Sequence, residues 1–164
     1  MKIFLIVLIM ILSIFVGFVF SKKYSNRNKF FQSLVSLCQK FDVEINYSRE
    51  RVKNILENLD EKHKINLSGL DKNYISFIEK KNQLDKETLF KNISFLKESE
   101  EDMILLFFKS LGRSDVDSQS KEIKNYQKKF EDKLKETQTE NKKYGTLSIK
   151  LGVIVGLFVV VLLL

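Results

Sequence analysis

The chain has 164 residues and carries 28 basic against 21 acidic side chains, for a formal net charge of +7. With hydrophobic segments at both ends, the part between them is long enough for one small domain but too short for two. The chain contains no proline, and its one cysteine, Cys38, cannot form an internal disulfide, so the composition favours long helices and excludes a disulfide scaffold.

The N-terminal segment has the length and composition of a membrane span. Residues 3–20 are apolar except for Ser13 and Gly17, and as a helix they extend about 27 Å, close to the hydrocarbon thickness of about 30 Å. No small-x-small cleavage site follows, which favours an uncleaved anchor over a signal peptide. The basic residues after the anchor, against Lys2 alone before it, predict that the chain continues in the cytoplasm. These residues are Lys22, Lys23, Arg27 and Lys29.

The residues between the two apolar ends predict an all-α fold, an antiparallel bundle of about six helices. The first helix continues the anchor, with an apolar stripe from Phe30 to Ile45. Ser48 is a candidate cap for a second helix, which breaks at 63–66, and a third helix starts at 68–71. Asp85 caps a short fourth helix, and Ser99 with Asp102 starts an apolar fifth helix that we expect at the centre of the core.

A polar turn, LGRSDVDSQ at 111–119, separates this fifth helix from the next. Gly112 can supply the left-handed residue that follows a helix, and either Ser114 or Asp115 can cap the following helix, with Gln119 near its start. Because caps explain these residues, the stretch is interpreted as a corner of the fold rather than a catalytic site.

The last helix begins at Val116 and is expected to run into a second membrane span. Its polar stretch at 131–143 is expected either to stand clear as a stalk or to meet a polar partner. The apolar run from Leu151 is short, so the span is predicted to begin near Gly145, with Lys150 at the inner interface. Gly152 and Gly156 form a G-x-x-x-G pattern, which fits packing against the first span or dimerisation.

These segments predict three regions: an anchor at 1–21, a cytoplasmic bundle at 22–144 and a second span at 145–164. Both basic flanks face one compartment, so both termini are expected outside. An enzyme is disfavoured, because the chain has one histidine, no glycine-rich phosphate loop and no metal-ligand spacing. No catalytic, cofactor, metal or small-molecule site is predicted.

Several short motifs, in this order between two spans, resemble those of the stage III sporulation protein AB family. The resemblance covers nearly the whole chain, although the family often has a proline-containing helix start where this chain reads Ser48-Arg49-Glu50. The motifs are Gly17-Phe18, Glu44-Ile45-Asn46-Tyr47, Leu111-Gly112-Arg113-Ser114-Asp115, Gln119, and Lys150-Leu151-Gly152 with Gly156.

The resemblance implies a membrane platform component of the channel complex between the mother cell and the forespore. Its bundle would resemble the cytoplasmic domain of type II secretion and type IV pilus platform proteins. That bundle would dock a secretion-type ATPase, stage III sporulation protein AA, beside other channel-complex membrane proteins. Whether Glu44 and Tyr47 serve the fold or the partner stays open at this point.

The alternative is a membrane-tethered binder of nucleic acid or anionic lipid through basic residues near the spans. Interleaved acidic residues make nucleic acid the less favoured ligand, and basic residues beside spans are already explained by topology. The residues concerned are Lys22, Lys23, Arg27, Lys29, Lys142, Lys143 and Lys150.

Overall fold

The computed structural model describes residues 2–48, 52–67, 70 and 85–163, and every regular element in these ranges is helical. The helices are α1 (Lys2–Val43), α2 (Val52–Glu57), α3 (Glu61–Leu67), α4 (Lys86–Phe90), α5 (Glu98–Ser110), α6 (Val116–Glu140) and α7 (Thr146–Leu163). Short π-helices follow α1 at Glu44–Ser48 and α6 at Asn141–Gly145. The all-α prediction is confirmed.

The chain packs as two compact units. One contains Met1–Asn28 and Lys135–Leu164, and the other contains Lys29–Leu134. Helix α1 is continuous from Lys2, which confirms that the first helix extends the apolar anchor. Within the described residues, two helices have the length and apolar composition to cross a membrane, one near each end of the chain.

The unit at 29–134 is built around an aromatic core. Phe107 of α5 lies at its centre and is fully buried, with its ring 5.3 Å from the rings of Phe108, Tyr126 and Phe130 and 6.3 Å from that of Phe41. These contacts confirm α5 as the central helix. The apolar stripe on α6 also packs here, since Ile123 and Phe130 are fully buried.

Cys38 is a core residue. Its side chain is fully buried, and this burial, with a smaller contribution from Glu131, raises the pKa of the thiol well above its ordinary value. The thiol is therefore protonated and unreactive at neutral pH, as an apolar filler of the core would be.

Polar caps set the starts of the short helices. The Asp85 carboxylate accepts the Thr88 N–H at 3.3 Å, which confirms the predicted cap of α4. Helix α5 begins at Glu98 rather than at Ser99, because the Lys97 N–H donates to the Glu100 carboxylate at 3.0 Å. The predicted Ser99 cap was therefore wrong, since Lys97 occupies the N-cap position.

The region around α2 and α3 differs from the prediction in one respect. The break falls at residues 58–60, and α3 then continues through 61–67, so the predicted break at 63–66 was wrong. The Ser48 cap would act on residues 49–51, which lie outside the described residues. The third predicted helix, which starts at 68–71, also lies outside them except for Leu70. Leu70 is described and is buried.

Lys86 links α4 to the acidic first turn of α5. Its ammonium lies 2.7 Å from Asp102, 3.5 Å from Glu98 and 3.8 Å from Glu101. The hydrogen bond to Asp102 is the main cause of a raised pKa for Lys86. These ion pairs connect the two helices, and their acidic residues also suit the positive end of the α5 dipole.

Candidate functional site: a polar junction between two helices

The turn between α5 and α6 has the backbone that its sequence predicts. Gly112 has φ 68°, the left-handed region that favours glycine, and follows the buried Leu111. The Gly112 N–H donates to the Gln119 side-chain oxygen at 2.6 Å. This bond ties the start of α6 back to the turn.

Asp115 caps α6, which decides between the two predicted caps. Its carboxylate accepts the Ser118 N–H at 3.2 Å, and α6 begins at the next residue, Val116. Hydrogen bonds from Ser118, through its hydroxyl and its backbone, hold the pKa of Asp115 below its ordinary value. Ser114 is exposed, as is Arg113 beside it, so these two side chains are accessible on the surface of the turn.

Gln119 is almost completely buried beneath this turn. Its side-chain oxygen accepts the Gly112 N–H, whereas its amide nitrogen has no hydrogen-bond partner among the described residues. Burying this amide with only its oxygen hydrogen-bonded costs desolvation free energy, but the bond to Gly112 fixes the conformation of the turn. Gln119 therefore acts inside the fold rather than on its surface.

The end of α1 meets the start of α6 through a small polar network. The Ser120 hydroxyl donates to the Asp42 carboxylate at 2.7 Å, and the Asn46 amide donates to the Ser120 hydroxyl oxygen at 3.1 Å. The Asn46 amide also lies 2.9 Å from the Asp42 carboxylate, and the Lys124 ammonium lies 3.5 Å from the same carboxylate. We call Asp42, Asn46, Ser120 and Lys124 the polar junction.

The polar junction brings one motif next to the start of α6, because the Asn46–Ser120 hydrogen bond joins residues 74 positions apart in the chain. The motif Glu44-Ile45-Asn46-Tyr47 lies in the first π-helix, a type of turn that is frequent at functional sites. Glu44 is half-buried and Ile45 is buried. The side chain of Tyr47 lies outside the described part of the structure, so its predicted role is not resolved.

Sequence reasoning missed the central members of this junction. Asp42 and Ser120 were not singled out, and Asn46 was noted only within its motif. The available signal was the four-residue spacing of Asp42 and Asn46, which places them on one helix face, and the position of Ser120 directly after Gln119.

The chemistry of the junction suits recognition. No group of three or more metal-ligating side chains occurs among the described residues. The junction offers carboxylate, amide, hydroxyl and ammonium groups next to an exposed turn. Such a surface can hydrogen-bond a protein partner.

Replacing Gly112 with alanine is expected to destabilise the turn by about 1–2 kcal/mol, because a Cβ is disfavoured at positive φ. Asparagine tolerates this region better, so Gly112→Asn should recover part of the loss. Thermal unfolding of the full-length protein in detergent, followed by circular dichroism, measures both variants. Equal melting of Gly112→Ala and the wild type would contradict the strained-turn assignment.

The predicted membrane-packing glycines lie where the two apolar helices touch. A Cβ on Gly17 would lie 2.7 Å from the Ser148 carbonyl oxygen, and one on Gly152 would lie 2.8 Å from the Ser13 carbonyl oxygen. The Ser13 hydroxyl donates to the Gly152 carbonyl at 2.6 Å. Within the chain, Gly17 and Gly152 therefore lie at the contact between α1 and α7.

Gly152→Ala is expected to push α7 away from α1, because the new methyl group would meet backbone atoms. Gly156→Ala is the matched control, since its Cβ would have ordinary contacts beginning at 3.4 Å from the Ser13 side chain. Spin labels at the exposed positions Phe4 and Val161 should show a longer or broader distance distribution for Gly152→Ala alone. Identical distributions for both variants would contradict the close-packing interpretation.

Comparison with known proteins gives one family. The family model described as Stage III sporulation protein AB (spore_III_AB) matches residues 2–164, which include both apolar helices, the π-helical motif and the turn. Comparison with curated proteins and with solved structures gives no significant match.

Proposed function

Since the chain belongs to the stage III sporulation protein AB family, and so has a role in sporulation, we propose that it is a non-enzymatic platform component of the channel between mother cell and forespore. In this role its helical unit docks a secretion-type ATPase, stage III sporulation protein AA. The observation that carries the proposal is the family match over residues 2–164. This match includes both apolar helices and the helical region between them in the sequence.

The proposed location is the mother-cell membrane, crossed twice, with residues 22–144 in the mother-cell cytoplasm and both termini outside. Basic residues follow the first apolar helix and precede the second, which supports this orientation. The antiparallel contact of Ser13 with Gly152 further supports two spans that cross the membrane side by side. Neighbouring channel membrane proteins would then be reached through the lipid-facing sides of these helices.

The proposed docking surface for the ATPase is the polar junction with the exposed turn beside it. Arg113 and Ser114 are exposed, and Glu44 is half-buried at the neighbouring end of α1. Gly112, Asp115 and Gln119 have structural tasks, so they support this surface instead of forming the contact. This division separates variants that test docking from variants that test folding.

The first experiment is co-purification of the tagged full-length protein from gently solubilised membranes of its sporulating host. The wild type should recover the ATPase and other channel components at low and moderate salt. Arg113→Glu and Glu44→Gln should reduce recovery of the ATPase roughly tenfold, as loss of a central polar contact does. Lys128→Glu, a charge reversal at an exposed position on α6, is the matched control.

Two outcomes would count against the proposal. Recovery of nucleic acid or lipid alone, lost as salt rises, would indicate an electrostatic binder in place of a platform. Full recovery of the ATPase by stably folded Arg113→Glu and Glu44→Gln would show that docking uses another surface. Melting curves equal to that of the wild type would establish that these variants remain folded.

A further inference from the structure

We propose that Lys142, Thr146 and Lys150 form a polar ladder that binds the phosphate headgroup of an anionic phospholipid. The inference rests on the proposed membrane topology but not on the docking of an ATPase. It assigns a ligand to one face of the second span and to the π-helix before it.

The three residues share one face of the continuous helix at 116–162. Thr146 and Lys150 are four residues apart in α7, which places them about 40° apart around the axis. Lys142 lies in the second π-helix, whose wider turn brings it to within about 20° of Lys150. The three side chains are exposed, so this face is open to the surroundings of the helix.

The ladder faces away from the helix pair. Ser148 and Gly152 contact α1, and Lys150 lies between them in sequence, about 200° around the axis from each. Within the unit at 1–28 and 135–164, that direction leads outward. In the proposed topology, the face that carries the ladder contacts lipid.

An aromatic pair at the same end of the second span indicates how deep each ladder residue lies in the membrane. The rings of Tyr24 and Tyr144 stack with their centroids 5.7 Å apart, and tyrosine is enriched where a span meets the headgroups. Lys150 lies about 9 Å further along the helix axis, inside the apolar segment. Its side chain points back toward the helix N-terminus, hence toward Thr146 and the headgroup level.

Charge selects the ligand. Neither apolar segment contains an aspartate or glutamate, so the ammonium of Lys150 has no carboxylate at its own depth in this chain. A charged residue at this depth needs an anion or water drawn in beside it. The phosphate of a surrounding lipid is the anion that every exposed span contacts, and the Thr146 hydroxyl adds a hydrogen-bond donor between two cations.

Other basic residues near the spans do not form such a ladder. Arg27 is buried and its guanidinium contacts the carboxylates of Glu136 and Glu140, which removes it from the basic surface. Lys143 lies with its ammonium 5.1 Å from the centre of the Tyr144 ring. Lys22 and Lys23 are exposed at one level of α1, with no basic residue deeper in that span on the same side.

The test measures lipid selectivity of the full-length protein in bilayers of phosphatidylcholine that contain spin-labelled phosphatidylglycerol or phosphatidylcholine. Electron spin resonance gives the relative association of each labelled lipid with the protein. We expect the wild type to prefer phosphatidylglycerol and the double variant Lys142→Gln/Lys150→Gln to lose most of that preference, because it removes both cations that flank the Thr146 hydroxyl. Lys150→Arg should keep the preference.

The matched control is Lys22→Gln/Lys23→Gln, which removes the same charge at the membrane surface without touching the ladder. Equal losses for the two double variants would overturn the ladder, because a diffuse surface charge would explain both. Equal preference of the wild type for the two lipids would overturn it as well. Extraction of the wild type by carbonate would instead overturn the membrane topology, so the two failures are distinguishable.

Discussion

Replacing Phe107 with alanine is expected to lower the free energy of unfolding by about 3–5 kcal/mol, one of the largest effects of any single substitution in this chain. The side chain is fully buried, and its ring contacts those of Phe41, Phe108, Tyr126 and Phe130. The variant loses the transfer free energy of the phenyl group, leaves a cavity, and removes aromatic pairs that add about 0.5–1.5 kcal/mol each.

The matched control for this prediction is Leu106→Ala. Leu106 precedes Phe107 on the same helix but is 57% exposed, so its truncation should change stability by less than about 1 kcal/mol. Thermal unfolding in detergent should show a midpoint about 10 °C lower for Phe107→Ala, given about 2–4 °C per kcal/mol in a chain of this size. Similar midpoints for the two variants would show that Phe107 is not the centre of the core.

Replacing both Glu136 and Glu140 with glutamine is expected to cost about 3–5 kcal/mol, because it leaves a buried guanidinium without the two carboxylates it contacts. The Arg27 side chain is 5% exposed, and it lies 3.2 Å from Glu136 and also contacts Glu140. Arginine does not lose its proton in proteins, so the charge cannot be relieved by deprotonation. Both glutamines keep the shape and helix propensity of the residues they replace.

Adding Arg27→Met to this double variant should restore most of the lost stability. The triple variant has no buried charge at this position, and an apolar side chain of similar length fills the same space. The measurement is the thermal midpoint of the wild type, the double variant and the triple variant under one set of conditions. A triple variant that melts below the double variant would mean that Arg27 contributes through packing more than through its charge.

The sequence is most informative where the physical cause is local. A cap needs only residues within one turn, so Asp85, Asp115 and the left-handed Gly112 could be predicted. Periodic apolar residues likewise predicted α5 as the core helix. Local signals can still compete, since Ser99 and the pair Lys97–Glu100 are both plausible starts and the second one is used.

The sequence could not predict contacts between residues that lie far apart in the chain. Arg27 follows a span and was assigned to a basic flank, yet its partners lie 109 and 113 residues further along the chain. The polar stretch at 131–143 was expected to be a stalk or to meet a polar partner. Its polar partner is α1 of the same chain, since Thr137 also contacts Asn28 at 3.3 Å.

The polar junction shows the same limit for the candidate site. The motifs around Glu44 and around Gly112 to Gln119 could each be found in the sequence, but nothing local to either shows that they meet. The bonds that join them run from Asp42 and Asn46 to Ser120. Neither π-helix was predicted, because π turns are rare and occur mostly as single turns inside α-helices, which the apolar spacing alone does not distinguish.

The second π-helix makes the number of residues before the second span matter as much as their chemistry. A straight α-helix turns about 100° per residue, so Gly152 would lie about 120° around the axis from Glu140. The extra residue in the π turn reduces this angle to about 20°, and both residues then face α1. A substitution in this stretch leaves that phase intact, whereas the loss of one residue from 141–145 would turn the glycine face of the span away from its neighbour. For the packing of the two apolar helices, the length of this short polar segment is therefore constrained more strictly than the identity of its residues.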